Sequence, residues 1–186
     1  LLLTNIGAYT HDKAVANSVG PDYYPGRERA FSLHLRSELG EPSVLYRNLG
    51  GNRFADKSQE TGFVDSSWSG DASILDANGD GWPDIYVLNM QGHDQYYENE
   101  QGRRFIRKSR AAFPRTPWGS MGAQVFDWDN DGRFDLYITD MHSDMSAAVA
   151  WDEEKAKSAV AYSEDFLQSG GLSIFGNAFY RGLDGS

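Results

Sequence analysis

Two stretches, SILDANGDGWPDIYVLNM (73–90) and QVFDWDNDGRFDLYITDM (124–141), decide how this chain folds. Laid on each other they place Asp76 on Asp127, Asp80 on Asp131 and Asp84 on Asp135, a period of 51 residues. The same register brings LYRNLGGNRF (45–54) onto YYENEQGRRF (96–105), with Phe54 on Phe105. AFYRGLDGS (178–186) is a partial third copy of this second element, and LLLTNI (1–6) mirrors IYVLNM and LYITDM.

Each unit reads as four short strands, A to D. In the central unit, alternation and β-branched or aromatic residues mark Ala72–Leu75, Ile85–Asn89, Tyr96–Asn99 and Arg104–Arg107, separated by Gly, Asn and Asp. LGGN (49–52) and NEQGR (99–103) are hairpin turns between C and D, with Gly available for positive φ. Four antiparallel strands repeated every ~40–50 residues are the pattern of a β-propeller blade. The expected fold class is therefore all-β with helical insertions: blades of four antiparallel strands from a larger, seven-bladed propeller.

In this register residues 1–186 form a single partial propeller domain. Residues 1–6 and 44–58 belong to one blade, 71–108 make a complete blade, and 122–141 with 177–186 make part of the next. Two insertions, 7–43 and 142–176, fall between strands B and C. In the first, Arg27–Leu39 reads as a helix stopped by Gly40 and Pro42. In the second, Val149, Ala156 and Val160 share a helical face, with Gly170 and Gly171 as the stop. The chain starts and stops in mid-repeat without an initial Met, so a piece or processed product of something longer is expected, with the remaining blades or neighbouring chains covering its open sheets.

Between strands A and B of each unit sits D-x-[DN]-x-D-G-x-x-D. Unpaired carboxylates ~4 Å apart repel by roughly 1 kcal/mol per pair even in water, and a hard cation turns that repulsion into binding. Calcium takes six to eight oxygens, and alternate residues of a tightly wound loop can supply them. The expected ligands are Asp127, Asp129, Asp131 and Asp135 with the Arg133 carbonyl in the second loop, and Asp76, Asn78, Asp80 and Asp84 with the Trp82 carbonyl in the first. Gly81 and Gly132 permit the sharp turn. An EF-hand is excluded because Val87 and Ile138 stand where its bidentate Glu belongs, and strands flank the loops; Asp84 and Asp135 must close the sites instead.

Composition agrees with a cation as partner. The chain is 40% hydrophobic and 13% aromatic, enough for a packed core, and its net charge of −10 argues against nucleic acid or an anionic membrane surface. With no cysteine there is no disulfide framework and no thiolate site. No apolar run approaches the roughly 18 residues of a membrane span, and LLLTNIG (1–7) is too short for the apolar region of a signal peptide.

These acidic loops resemble the calcium-binding FG-GAP/VCBS repeats of integrin α-subunit propellers and of many bacterial secreted proteins. LYRNLGGNRF, DWDNDGRFDLYITDM and SIFGNAFYR are similar, more narrowly, to the cartilage acidic protein (ASPIC/UnbV) branch. The resemblance covers most of the chain and implies a propeller with calcium in the A–B loops. Asn78 in place of Asp departs from the pattern and lowers the charge of the first site, which should bind more weakly than the second. Extracellular modules of this kind hold calcium with Kd of about 10⁻⁴ to 10⁻³ M, which implies an extracellular, secreted or cell-surface location, or the periplasm of a bacterium.

Strand direction alternates within a blade, so the calcium loops and the insertions emerge on opposite faces. By resemblance to integrins, a carbohydrate or protein ligand docks on the insertion face. Candidates there are Tyr23, Tyr24, Trp118 and Trp151, and the pairs His11–Asp12, His93–Asp94 and His142–Asp144. A His–Asp pair is also what a base and its orienting group would look like. No G-x-S-x-G motif accompanies any of them, so the chain reads as a non-enzymatic adhesion or binding module. A structural subunit of an extracellular assembly or filament is the alternative, and a polysaccharide-degrading enzyme the third reading.

Overall fold

The computed structural model describes residues 1–5, 42–65, 69–90, 93–141, 173–174 and 176–182. Strands β1 (Leu2–Leu3), β2 (Val44–Gly50) and β3 (Arg53–Asp56) form a first antiparallel sheet in that order. A four-stranded sheet follows in simple succession, with β4 (Ser69–Leu75), β5 (Asp84–Asn89), β6 (Gln95–Glu100) and β7 (Arg104–Arg107). The third sheet is built from β9 (Ser120–Phe126), β10 (Asp135–Asp140) and β12 (Ala178–Tyr180), with β10 central. Strands B–C–D, A–B–C–D and A–B–C are thus present in turn, and the fold is all-β with the repeat's antiparallel meander. Both expected helices, Arg27–Leu39 and the one within 142–176, lie outside the described residues.

The period of 51 residues extends to the hydrogen-bond register. Leu75 pairs with Asp84 and Phe126 with Asp135; Tyr86 pairs with Tyr96 and Tyr137 with Phe179. Strand A begins at Ser69 rather than at the expected Ala72 because a bulge between Ser69 and Asp71 breaks the alternation. Two single-turn helices, α1 (Ser58–Thr61) and α2 (Ser109–Ala112), follow strand D in consecutive sheets. Their first serines are equivalent. Ser58 Oγ accepts the Leu45 N–H at 2.9 Å, and Ser109 Oγ accepts the Tyr96 N–H at 3.0 Å. A short parallel pair, β8 (Thr116–Pro117) with β11 (Ser173–Ile174), ties the end of the second insertion to the connection between the second and third sheets.

Alternation along β5 feeds two seams. Ile85 and Val87 face the first sheet, where they pack with Phe63, Tyr97, Leu2 and Leu45. Tyr86 and Leu88 face the third sheet, packing with Leu75, Tyr96, Phe113, Leu136 and Ile138. The four β5 side chains are buried, so a large-to-small change at one costs about 2–5 kcal/mol, while Leu2 and Leu45 are only partly covered. Phe113 enters the second seam from the inter-sheet connection, with its ring edge-on to Tyr86 at 4.9 Å, Tyr96 at 5.3 Å and Tyr180 at 5.1 Å.

A polar node pins each seam. In the first, Asp65 Oδ2 accepts the hydroxyls of Ser43 at 2.6 Å and Ser69 at 2.8 Å. In the second, the equivalent positions are Asp94, Thr116 and Ser120, and the carboxylate has changed place. Asp94 Oδ2 accepts the Ser120 hydroxyl at 2.6 Å and the Tyr86 hydroxyl at 3.0 Å, while Asp94 N–H donates to Thr116 Oγ1 at 3.2 Å. One buried carboxylate per seam satisfies the hydroxyls of two sheets at once, which is how polar groups are tolerated there.

Candidate metal centre

The two A–B loops have one architecture, set by their first and last aspartates. Asp76 Oδ1 and Oδ2 accept the N–H groups of Asp80 at 3.1 Å and Gly81 at 2.8 Å; Asp127 accepts those of Asp131 at 3.1 Å and Gly132 at 2.9 Å. These bonds wind the loop tightly. Gly81 and Gly132 both sit at φ 84°, a conformation that a side chain would strain. The closing aspartates, Asp84 and Asp135, are buried at the start of strand B. Asp84 accepts the N–H of Ala77 at 3.1 Å and of Asn99 at 2.8 Å; Asp135 accepts those of Trp128 at 2.9 Å and Gly182 at 2.8 Å. The A–B loop is thereby fastened to strand C or its end. Trp82 lies over Gly102 of the C–D turn, where an added Cβ would come within 2.8 Å of its ring, so the A–B and C–D loops share one face of the sheet.

In the second loop the carboxylates converge. Asp127, Asp129 and Asp135 each offer an oxygen within 4.8 Å of the others, and among the described residues this is the one such group. Asp129 Oδ1 is buried in it with no hydrogen-bond partner. Its other oxygen accepts Arg181 Nη2 at 2.6 Å. Asp131 is not brought into the group. One of its oxygens caps the Arg133 N–H at 2.9 Å, and the other pairs with the Arg133 guanidinium and, at 3.5 Å, with Arg181. Slight burial works to raise the Asp131 pKa, but the Arg133 backbone N–H and the two guanidinium groups outweigh it and hold the carboxyl below its ordinary value.

The first loop does not converge in this way. Asn78 Nδ2 donates to Asp80 Oδ2 at 3.0 Å, and Asp80 Oδ1 caps the Trp82 N–H at 2.9 Å. Asp84 Oδ2 also accepts the Tyr96 hydroxyl at 2.6 Å. Burial raises the Asp84 pKa; the Tyr96 hydroxyl and the Asn99 and Ala77 N–H groups oppose it. At the position of Tyr96 the third sheet carries Phe179, which has no hydroxyl, so Asp135 lacks that competing donor. The sequence reading missed this difference because it depends on a strand pairing across an insertion.

The insertion-face candidates divide. Trp118 is buried, and the His93 ring stands edge-on to it at 5.8 Å. Asp94 turns away from its neighbour His93. Its Oδ1 accepts the Asn89 N–H at 2.8 Å and its Oδ2 the two hydroxyls of the seam. Burial and the nearby Arg110 lower the His93 pKa to about 4, while burial pushes the Asp94 carboxyl up to about 7. This pair is a seam element rather than a base with its orienting group. Tyr23, Tyr24, Trp151, His11 and His142 lie outside the described residues.

Among the described residues no helix is long and apolar enough to cross a membrane. No curated protein matches the chain. Residues 76–138, from the first aspartate of one acidic loop to the middle of β10, match the family model described as the FG-GAP-like repeat, and over that span the chain is similar to a β-propeller-like FG-GAP repeat.

Proposed function

We propose that this chain is a calcium-stabilised, β-propeller-like binding module that works outside the cell. The observation that carries the reading is the group Asp127, Asp129 and Asp135, with Asp129 Oδ1 buried and unbonded inside it. An unpaired buried carboxylate oxygen is costly, and a cation among three carboxylates removes that cost. The donor set is hard oxygen throughout, which suits calcium or magnesium and not a thiophilic metal. Asp127, Asp129 and Asp135 would hold the ion, with the Arg133 carbonyl as a further oxygen donor, and the ion would supply fixation of the A–B turn rather than catalysis.

The likeness to FG-GAP repeats supports an extracellular setting, where millimolar calcium suffices for a site of Kd ~10⁻⁴ M. A carbohydrate or protein ligand would dock on the opposite face, beside the insertions. The narrower likeness to the cartilage acidic protein branch belongs to the same proposal.

Isothermal titration with calcium tests the reading. Wild type should bind, and ~1 mM calcium should add about 1.4 kcal/mol at a Kd of ~10⁻⁴ M, raising Tm by roughly 3–6 °C reversibly with EDTA. Asp129→Asn keeps the shape but removes a charge, and should weaken binding about tenfold or more. No calcium heat and no Tm shift in wild type would overturn the proposal.

A further inference from the structure

The two acidic loops are wound alike but differ at one dipeptide. Asn78-Gly79 in the first stands where the second has Asp129-Asn130, and Asn78 is the one asparagine of the chain that a glycine follows. The backbone does not demand that glycine: φ is 70° at Gly79 and 57° at Asn130, a left-handed turn that asparagine tolerates. What Gly79 supplies is access. It is exposed, with nothing within 4 Å of where a Cβ would stand, and Asn78 beside it is exposed too.

The hydrogen bonds of the loop leave the peptide nitrogen between these two residues aside. The N–H groups of Ala77, Asp80, Gly81 and Trp82 all end on carboxylates, whereas among the described residues the Gly79 N–H reaches no acceptor. Asn78 is placed as the matching electrophile. Its Oδ1 accepts the Asp80 N–H at 3.1 Å, which polarises the amide carbonyl and would stabilise an oxyanion formed there. Its Nδ2, the group that would have to leave, donates to Asp80 Oδ2 at 3.0 Å.

We propose that Asn78 is a self-modification site, at which the first loop converts its own asparagine to a carboxylate by intramolecular deamidation. Base removes the Gly79 N–H proton, and the nitrogen attacks Asn78 Cγ. A succinimide ring closes as the Cγ–Nδ2 bond breaks, and ammonia leaves with a proton from water. Water then adds to one of the imide carbonyls and opens the ring, to aspartate on one side and to isoaspartate on the other. The net change is the uptake of a water and the release of an ammonia, with nothing oxidised or reduced.

The two products act on the loop in opposite ways. Aspartate gives the first loop a carboxylate at the position of Asp129 in the second, and turns the Asn78–Asp80 hydrogen bond into a repulsion that a cation relieves. Isoaspartate adds a methylene to the backbone and misplaces the loop between Asp76 and Asp84. The effect on the ion rests on the calcium reading of these loops; the modification does not.

Ageing of the 186-residue chain in mildly alkaline buffer with EDTA tests it. The peptide that contains Asn78 should gain the mass of an amide-to-acid exchange, and an isoaspartyl methyltransferase should label the same peptide. Asn78→Gln should lose both signals, because the longer side chain closes its ring far more slowly. Gly79→Asn, which keeps the left-handed turn but covers the nitrogen, should slow the conversion strongly. An intact Asn78 in the folded chain, where the same chain in urea converts, overturns the proposal, and so does undiminished conversion in Gly79→Asn. For the consequence, calorimetry of Asn78→Asp should show calcium held about tenfold more tightly at the first loop than in wild type. An identical isotherm overturns the consequence. Calcium heat absent from both chains, with the modification still found, is failure of the calcium reading alone.

Discussion

Tyr96 donates its hydroxyl to Asp84 Oδ2 at 2.6 Å across the B–C pairing of the second sheet, and the third sheet has Phe179 in the place of Tyr96. One hydroxyl separates two loops whose backbones are otherwise wound alike. Where it is present, the closing aspartate is engaged by a third donor; where it is absent, the closing aspartate joins Asp127 and Asp129. Tyr96→Phe should free Asp84 and tighten calcium binding at the first loop, while Phe179→Tyr should weaken the second. The hydrogen bond at stake is to a charged group, so each change should move affinity by roughly tenfold, read by calorimetry on both variants. An unchanged isotherm for Phe179→Tyr would refute the role given to this position.

Arg181 is a built-in competitor for the second loop. Its guanidinium lies 2.6 Å from Asp129 and 3.5 Å from Asp131, half-exposed at the end of β12. Arg181→Gln removes a positive charge from the carboxylate group and should raise calcium affinity by several-fold, most strongly at low salt where screening is least. Fold stability without calcium should fall little, because an exposed ion pair contributes about 0–1 kcal/mol.

Asp94 sets the pH response of the second seam. Burial holds its carboxyl at about 7, against an ordinary value near 3.8, and Asp140 pushes in the same direction. The groups facing it are Tyr86, Asn89, Thr116 and Ser120, with Asp140 close enough to act through charge. Between these two values the folded chain holds a proton that the unfolded chain has lost. Asp94 therefore stabilises less as pH rises from about 4 to about 7, by a few kcal/mol in all, and is level above that. Urea midpoints for wild type and Asp94→Asn should converge as pH falls from 8 to 5 and separate as it rises, with wild type losing ground. Asp131 acts in the opposite sense: its lowered carboxyl contributes stability above its ordinary value that is lost on acidification.

Much of the fold was legible because the repeat carries its own alignment. Short runs of aliphatic, β-branched and aromatic residues in IYVLN and LYITD mark strand B, and the recurrence of Asp76, Asp80 and Asp84 as Asp127, Asp131 and Asp135 marks the turn before it. Strand B, then C and D, then a full set, then A to C, is the order that the sheets show. What escaped was local: the bulge that carries strand A back to Ser69, and the single-turn helices after strand D, whose only trace is Lys57-Ser58 recurring as Lys108-Ser109. A four-residue turn has no period to read.

The acidic loops were legible as a constellation but not as a geometry. Side-chain spacing named Asp127, Asp129, Asp131 and Asp135 together, yet the structure gathers three of them and turns Asp131 toward two guanidinium groups, one of which arrives from β12 far along the chain. Trp118 was equally ambiguous, since an aromatic in a connection is ligand platform or padding according to what covers it, and here it is buried with the His93 ring against it.

Spacing and alternation alone established that this chain is a repeat of four short strands with an acidic turn between the first two, because those patterns follow from backbone periodicity and are local. Which carboxylates meet and which aspartate is buried at each seam were settled by packing between strands distant in the chain. Such contacts depend on register across insertions, and no local pattern encodes it.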